Sequence, residues 1–130
     1  MKKLMKMAEE AYENSYSPYS KIRIGAAVVG GSGKIYTGTN IENASYGATI
    51  CAERSAICKA ISAGETKITA IAVTGDIDDY AYPCGICRQV MVEFMKPDAE
   101  IAVSGRGTDI KVYKLKELLP SAFMFNLGGK

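Results

Sequence analysis

No histidine occurs among the 130 residues. That absence removes every mechanism that turns on an imidazole, the serine–histidine triad included. It also obliges any zinc held here to be bound by sulfur or carboxylate. Long apolar runs are missing too. Nothing approaches the roughly 18 residues of a membrane-spanning helix, and the apolar stretch of Met1-Lys2-Lys3-Leu4-Met5-Lys6 is too broken for a signal peptide. A cytoplasmic location without membrane attachment is expected. Net charge is scant, at +2, too small to argue for nucleic acid or a membrane surface as partner. Lys2, Lys3 and Lys6 read as the solvated face of a helix. No internal repeat, low-complexity tract or linker divides the chain.

Hydrophobic residues make up 48%, enough for a core, and the length suits a single domain spanning residues 1–130. Leu4, Met7, Ala8, Ala11 and Tyr12 recur at helical spacing, so a helix is expected over residues 3–14, broken by Ser17-Pro18-Tyr19-Ser20. Residues 22–30 and 34–40 read as two strands joined by the Gly31-Ser32-Gly33 turn. A helix from Cys51 to Ala63 stops at Gly64. The β-branched run at residues 68–75 reads as a buried strand. Pro83 opens a helix that ends near Met95. Strands at residues 100–104 and about 110–113 follow, then a helical turn at residues 115–119. Alternation of this kind gives a layered α/β sheet with helices on its faces. A short turn forces its first two strands antiparallel, so the sheet is mixed.

The four cysteines carry the chemistry. In a cytoplasmic chain they are more often metal ligands or catalysts than disulfides. Cys51-Ala52-Glu53 and Pro83-Cys84-Gly85-Ile86-Cys87 each fall at the expected start of a helix. There, free N–H groups and a partial positive charge favour thiolates. Arg54 and Arg88 stand near enough in sequence to donate hydrogen bonds to those sulfurs. A lone Cys-x-x-Cys would favour a structural zinc site, but structural sites are closed by four ligands. Cys58 lies seven residues beyond Cys51, roughly 10 Å along a helix. Bonds of about 2.3 Å cannot span that distance. Cys58 is then expected to be a small buried apolar residue. Three sulfurs without histidine leave one position of a tetrahedral zinc open, the mark of a catalytic site. Glu53 alone would be an ordinary first-turn charge; beside such a site it reads as a proton shuttle.

The cysteine pattern with its non-ligand glutamate resembles the zinc deaminases. Several further segments resemble the small cytidine deaminases: Pro18-Tyr19-Ser20-Lys21, Gly25-Ala26-Ala27, Asn40-Ile41-Glu42-Asn43-Ala44, Cys51-Ala52-Glu53-Arg54, Pro83-Cys84-Gly85-Ile86-Cys87-Arg88-Gln89-Val90 and Glu117-Leu118-Leu119-Pro120. The similarity runs from about Tyr16 to Phe123. It implies a three-layer α-β-α fold with a mixed five-stranded sheet. It further implies one zinc per chain on Cys51, Cys84 and Cys87, with Glu53 as the catalytic residue. Asn40 and Glu42 would hold the ribose hydroxyls, and Ile22 and Ala52 would lie at the substrate. The implied activity is hydrolytic deamination of free cytidine and deoxycytidine in pyrimidine salvage. The family is homotetrameric with shared active sites, so Phe123, and Tyr46 with it, would reach a neighbouring subunit's site. The apolar tail Phe123-Met124-Phe125-Asn126-Leu127 independently suggests an interface.

One departure stands out. The family places phenylalanine after Pro-Tyr-Ser-Lys, where this chain has Ile22, which bears on how the base is flanked. A blasticidin S-type aminonucleoside deaminase shares the zinc motif and remains a rival that Asn40-Ile41-Glu42 argues against. A non-enzymatic zinc-binding module is the alternative of a different class. Polynucleotide editing would need a basic channel that the charge does not provide.

Overall fold

The computed structural model describes residues 1–125. Leu4, Met5 and Ala8 form the buried stripe of helix α1 (Lys2–Ala11). The expected helix is shorter than its apolar pattern, because the chain tightens into a 3₁₀ turn at Tyr12–Asn14 and leaves helical geometry at Ser15. Strand β1 (Ile24–Gly30) starts two residues later than its composition suggests. The backbone N–H of Ile22 donates to Ser20 Oγ at 3.0 Å and its carbonyl accepts from Asn40 Nδ2 at 2.8 Å, so that residue cannot join a ladder. Strand β2 (Ile35–Thr39) returns antiparallel to β1, with Ala26 opposite Gly38.

Helix α2 (Ala52–Ser62) leads to strand β3 (Ile68–Gly75), the centre of the sheet. Helix α3 (Gly85–Phe94) carries the chain over to strand β4 (Glu100–Val103), which lies parallel to β3. A parallel pair requires such a crossover. Strand β5 (Lys111–Lys114) closes the order β2-β1-β3-β4-β5, and helix α4 (Leu115–Leu118) follows it.

Alternating strand residues divide the core into two layers. Ala27, Ala72 and Ala102 meet Leu4, Met5 and Ala8 of α1 on one face. Val28, Ile71, Val73, Ile101 and Val103 pack on the other with Ala56 and Ile57 of α2 and Met91 of α3. The result is the three-layer α-β-α arrangement with a mixed five-stranded sheet. Among the described residues no helix is long and apolar enough to cross a membrane.

Candidate metal centre and active site

Helices α2 and α3 begin side by side on one face of the sheet, and a cysteine caps each. Cys51 is the N-cap of α2 and Cys84 that of α3, both in extended conformation, so α3 starts after Pro83 rather than on it. Cys87 sits one turn into α3 and is fully buried. The sulfurs of Cys51 and Cys84 are 3.9 Å apart and those of Cys84 and Cys87 are 3.5 Å apart, with all three within 4.8 Å of one another. A tetrahedral zinc with bonds of about 2.3 Å needs ligand separations of about 3.8 Å. The donor set therefore fits a tetrahedral thiophilic metal with three protein ligands. It is the sole cluster of three metal-ligating side chains among the described residues.

Cys58 does not join the cluster, and its expected burial is corrected: it is exposed. The buried positions of α2 are Ala52, Glu53, Ala56, Ile57 and Ala60, a stripe spaced by whole turns that leaves residue 58 on the solvent side.

Arg54 reaches back along α2 to place its guanidinium 3.5 Å from Cys51 Sγ. Hydrogen bonds from Cys87, Arg54 and Cys84 pull the Cys51 thiol down to about 5. Arg54 Nε is buried without a hydrogen-bond partner, an N–H that a cluster of thiolates can satisfy. The other arginine behaves differently from its expected role at the sulfurs. The hydrogen bonds of Arg88 run from Nε to the Pro83 carbonyl and from a terminal nitrogen to the Leu118 carbonyl, both at 2.7 Å. It braces the loop before Cys84 against α4 instead of meeting a thiolate.

Glu53 is 4% exposed. Burial pushes its carboxyl up to about 7, and the negative charge on Cys51 adds to the rise. A carboxyl poised there both accepts and releases protons near neutrality. It opens, with Cys51, Ala52, Cys84 and Asn40, on a cavity of about 380 Å³ whose walls include Ile24, Ile77, Tyr80 and Tyr82. The two tyrosines were not expected at the site; the loop that carries them shows no sequence signal beyond preceding Pro83.

Asn40 is 9% exposed. Its Oδ1 accepts from Ser15 Oγ at 2.5 Å and from the Ile24 N–H at 3.0 Å, so it ties three segments together at the cavity edge. Glu42 is half-buried rather than buried, and lines an adjoining cavity of about 400 Å³ with Tyr19, Ser20 and Tyr46. Thr49 borders both cavities. Ile22 is 42% exposed. Tyr46 is 77% exposed and packs edge-on to Tyr19 at 6.1 Å. Phe123 is 66% exposed, with its carbonyl held by Gln89 and its ring against Phe125. Neither aromatic enters the cavity of Glu53 in its own chain. Asn126 and Leu127 of the apolar tail lie outside the described residues.

Residues 1–103 match the family model for the cytidine and deoxycytidylate deaminase zinc-binding region. A cytidine deaminase of Halalkalibacterium halodurans is 46% identical over 120 residues, covering 92% of this chain and 91% of the relative. One from Mycobacterium tuberculosis is 36% identical over 116 residues, covering 89% and 84%. The crystal structure of the cytidine deaminase from Burkholderia pseudomallei superposes with a TM-score of 0.89 at 44% identity, covering 94% of this chain and 98% of that one.

Proposed function

This chain belongs to the cytidine and deoxycytidylate deaminase family, and on that premise we propose that it hydrolyses free cytidine and deoxycytidine to uridine and deoxyuridine, releasing ammonia. The observation that carries the reading is the buried Glu53 carboxyl opening on the same cavity as Cys51 and Cys84, beside the three-sulfur cluster. Cys51, Cys84 and Cys87 would hold one zinc per chain. Zinc there supplies Lewis acidity and lowers the pKa of water towards 7.

The chain's own residues do the rest. Glu53 takes a proton from the attacking water and gives one to N3 of the pyrimidine as the new C–O bond forms at C4. It then takes the remaining proton from the new C4 hydroxyl and delivers it to the amino group, so that the C–N bond breaks, ammonia leaves and the C4 carbonyl forms. Arg54 stabilises negative charge on the sulfurs through its contact with Cys51. Asn40 and Glu42 take the ribose hydroxyls, and Ile22 flanks the base with aliphatic surface. Ala52, fully buried at the cavity wall, leaves room for the ring. The exposed rings of Tyr46 and Phe123 support a homotetramer in which each completes a neighbour's site. We place the enzyme in the cytoplasm, in nucleoside salvage.

The deciding experiment measures ammonia release from cytidine, deoxycytidine and blasticidin S, with zinc by elemental analysis and mass by light scattering. Glu53→Gln is expected to keep zinc and lose about 10²- to 10⁴-fold in turnover. Wild-type rates in that variant would assign the proton transfers elsewhere. Turnover of blasticidin S without cytidine would refute the substrate. An active monomer, instead of about four times 13.9 kDa, would remove Tyr46 and Phe123 from the site.

A further inference from the structure

The loop between α1 and β1 folds onto Glu42 through a chain of hydrogen bonds that the proton transfers do not use. Oε1 of Glu42 accepts from the backbone N–H groups of Tyr19 at 3.0 Å and Ser20 at 3.1 Å. Oε2 accepts from the Ser20 hydroxyl at 2.5 Å. A carboxylate offers about four lone-pair sites, two on each oxygen. Oε1 is therefore filled, and Oε2 keeps one acceptor site for a ligand.

The direction of the Ser20 hydroxyl is fixed as well. Its oxygen accepts from the Ile22 N–H at 3.0 Å, so its own hydrogen is committed to Glu42. Lys21, between them, is held at φ 62°, a left-handed conformation uncommon for a residue with a Cβ. Its N–H is tied to the Ser17 carbonyl at 3.0 Å. A strained residue persists where its surroundings over-determine it. Here the surroundings are a tight turn that presents one hydroxyl to one carboxylate, beside a cavity lined by Ser20, Glu42 and Tyr46. The Glu42 carboxyl lies below its ordinary value, first because of the Ser20 hydroxyl.

We propose that Ser20 is a positioning residue for sugar selection, turning the Glu42 carboxylate so that a single acceptor site on Oε2 meets the 3′-hydroxyl of a nucleoside. This rests on the ribose role given to Glu42 above and adds the residue that aims it. A nucleoside without the 3′-hydroxyl leaves that acceptor unpaired in the complex, and sites built around a substrate hydroxyl reject analogues lacking it.

The test compares kcat and KM for cytidine and 3′-deoxycytidine in the wild type, Ser20→Ala, Ser20→Thr and Glu42→Gln, with melting temperature and zinc content measured on each. Ser20→Ala is expected to raise KM for cytidine about tenfold, the weakening of one hydrogen bond to a charged group. Its kcat should stay unchanged and its KM for 3′-deoxycytidine should remain within about twofold of wild type. Ser20→Thr keeps the hydroxyl and is expected to restore the discrimination. Equal losses on both substrates in Ser20→Ala, or a fall in kcat alone, would make the residue a loop brace and overturn the proposal. If Glu42→Gln abolishes discrimination while Ser20→Ala preserves it, only the role of Ser20 fails. If the wild type does not discriminate, or Glu42→Gln affects both substrates alike, the ribose role of Glu42 fails and the proposal with it.

Discussion

Replacing Gly38 by alanine tests whether the metal centre depends on direct contact between sheet backbone and helix backbone. A Cβ on Gly38 would fall 2.4 Å from the Ala56 nitrogen and 2.9 Å from both the Ala52 carbonyl oxygen and the Ser55 carbonyl carbon. All three are backbone atoms of α2, so no side chain can rotate out of the way. Ordinary contact begins near 3.4 Å, which requires α2 to withdraw by about 1 Å. That helix carries Cys51 at its cap and Glu53 in its first turn. Metal sites tolerate errors of only about 0.2 Å in ligand distance. Overpacking costs about 1–3 kcal/mol, and a clash confined to backbone belongs at the upper end. At about 3–5 °C per kcal/mol for a chain of this size, the melting temperature should drop by about 10 °C. Thermal unfolding, elemental zinc analysis and cytidine turnover read the three consequences together. A Gly38→Ala protein that melts within about 2 °C of wild type and keeps its zinc would refute the claim that this contact sets the position of α2.

Other substitutions separate the remaining roles. Cys58→Ala should keep full zinc occupancy, because Cys58 is exposed and outside the cluster; loss of zinc would refute the three-ligand assignment. Ile22→Phe should lower KM for cytidine about two- to twelvefold at unchanged kcat by adding a stacking face. If the wild type instead prefers blasticidin S and Ile22→Phe destroys that preference, Ile22 selects a different substrate. Asp76 receives Arg23 at 2.7 Å and Arg106 at 2.8 Å, and its carboxyl lies below the ordinary 3.8, first through the Arg23 hydrogen bond. A lowered folded value means stabilisation that is present above the unfolded pKa and lost as pH falls through the folded one. Asp76→Asn should therefore lower the melting temperature near neutrality and flatten its decline below about pH 4. Equal acid sensitivity in both proteins would remove Asp76 from that account.

The parts of the fold legible in sequence are those with strong local signals. The β-branched run of β3 and the Gly64 stop after α2 place those elements within a residue or two of their observed bounds. The cysteine cluster was legible because its spacing excludes Cys58 by helix length alone. The two arginines were not separable, since each stands within four positions of a ligand. Side chains on a helix lean towards its N-terminus, which carries Arg54 to Cys51. Arg88 finds the Leu118 carbonyl, 30 positions away. Cys58 is exposed although cysteine is among the most buried residue types, because its phase on α2, and not its residue type, decides which side it faces. The Ser20–Glu42 contact spans 22 positions and depends on one positive φ at Lys21, for which the residue type carries no signal.

The thiol cluster also joins parts of the chain that lie on either side of the central strand. Cys51 precedes β3 in sequence, while Cys84 and Cys87 follow it. The sulfurs meet in a topology that lays β3 into the sheet and turns α3 back across its face. Contacts between residues so far apart in the chain bear a loop-closure cost that local hairpins escape. The β1–β2 hairpin can form from neighbours, whereas the metal centre belongs to the finished topology. A metal held by these three sulfurs would therefore bind the finished topology and not the unfolded chain, and by mass action it would stabilise the docking of α3 against the sheet.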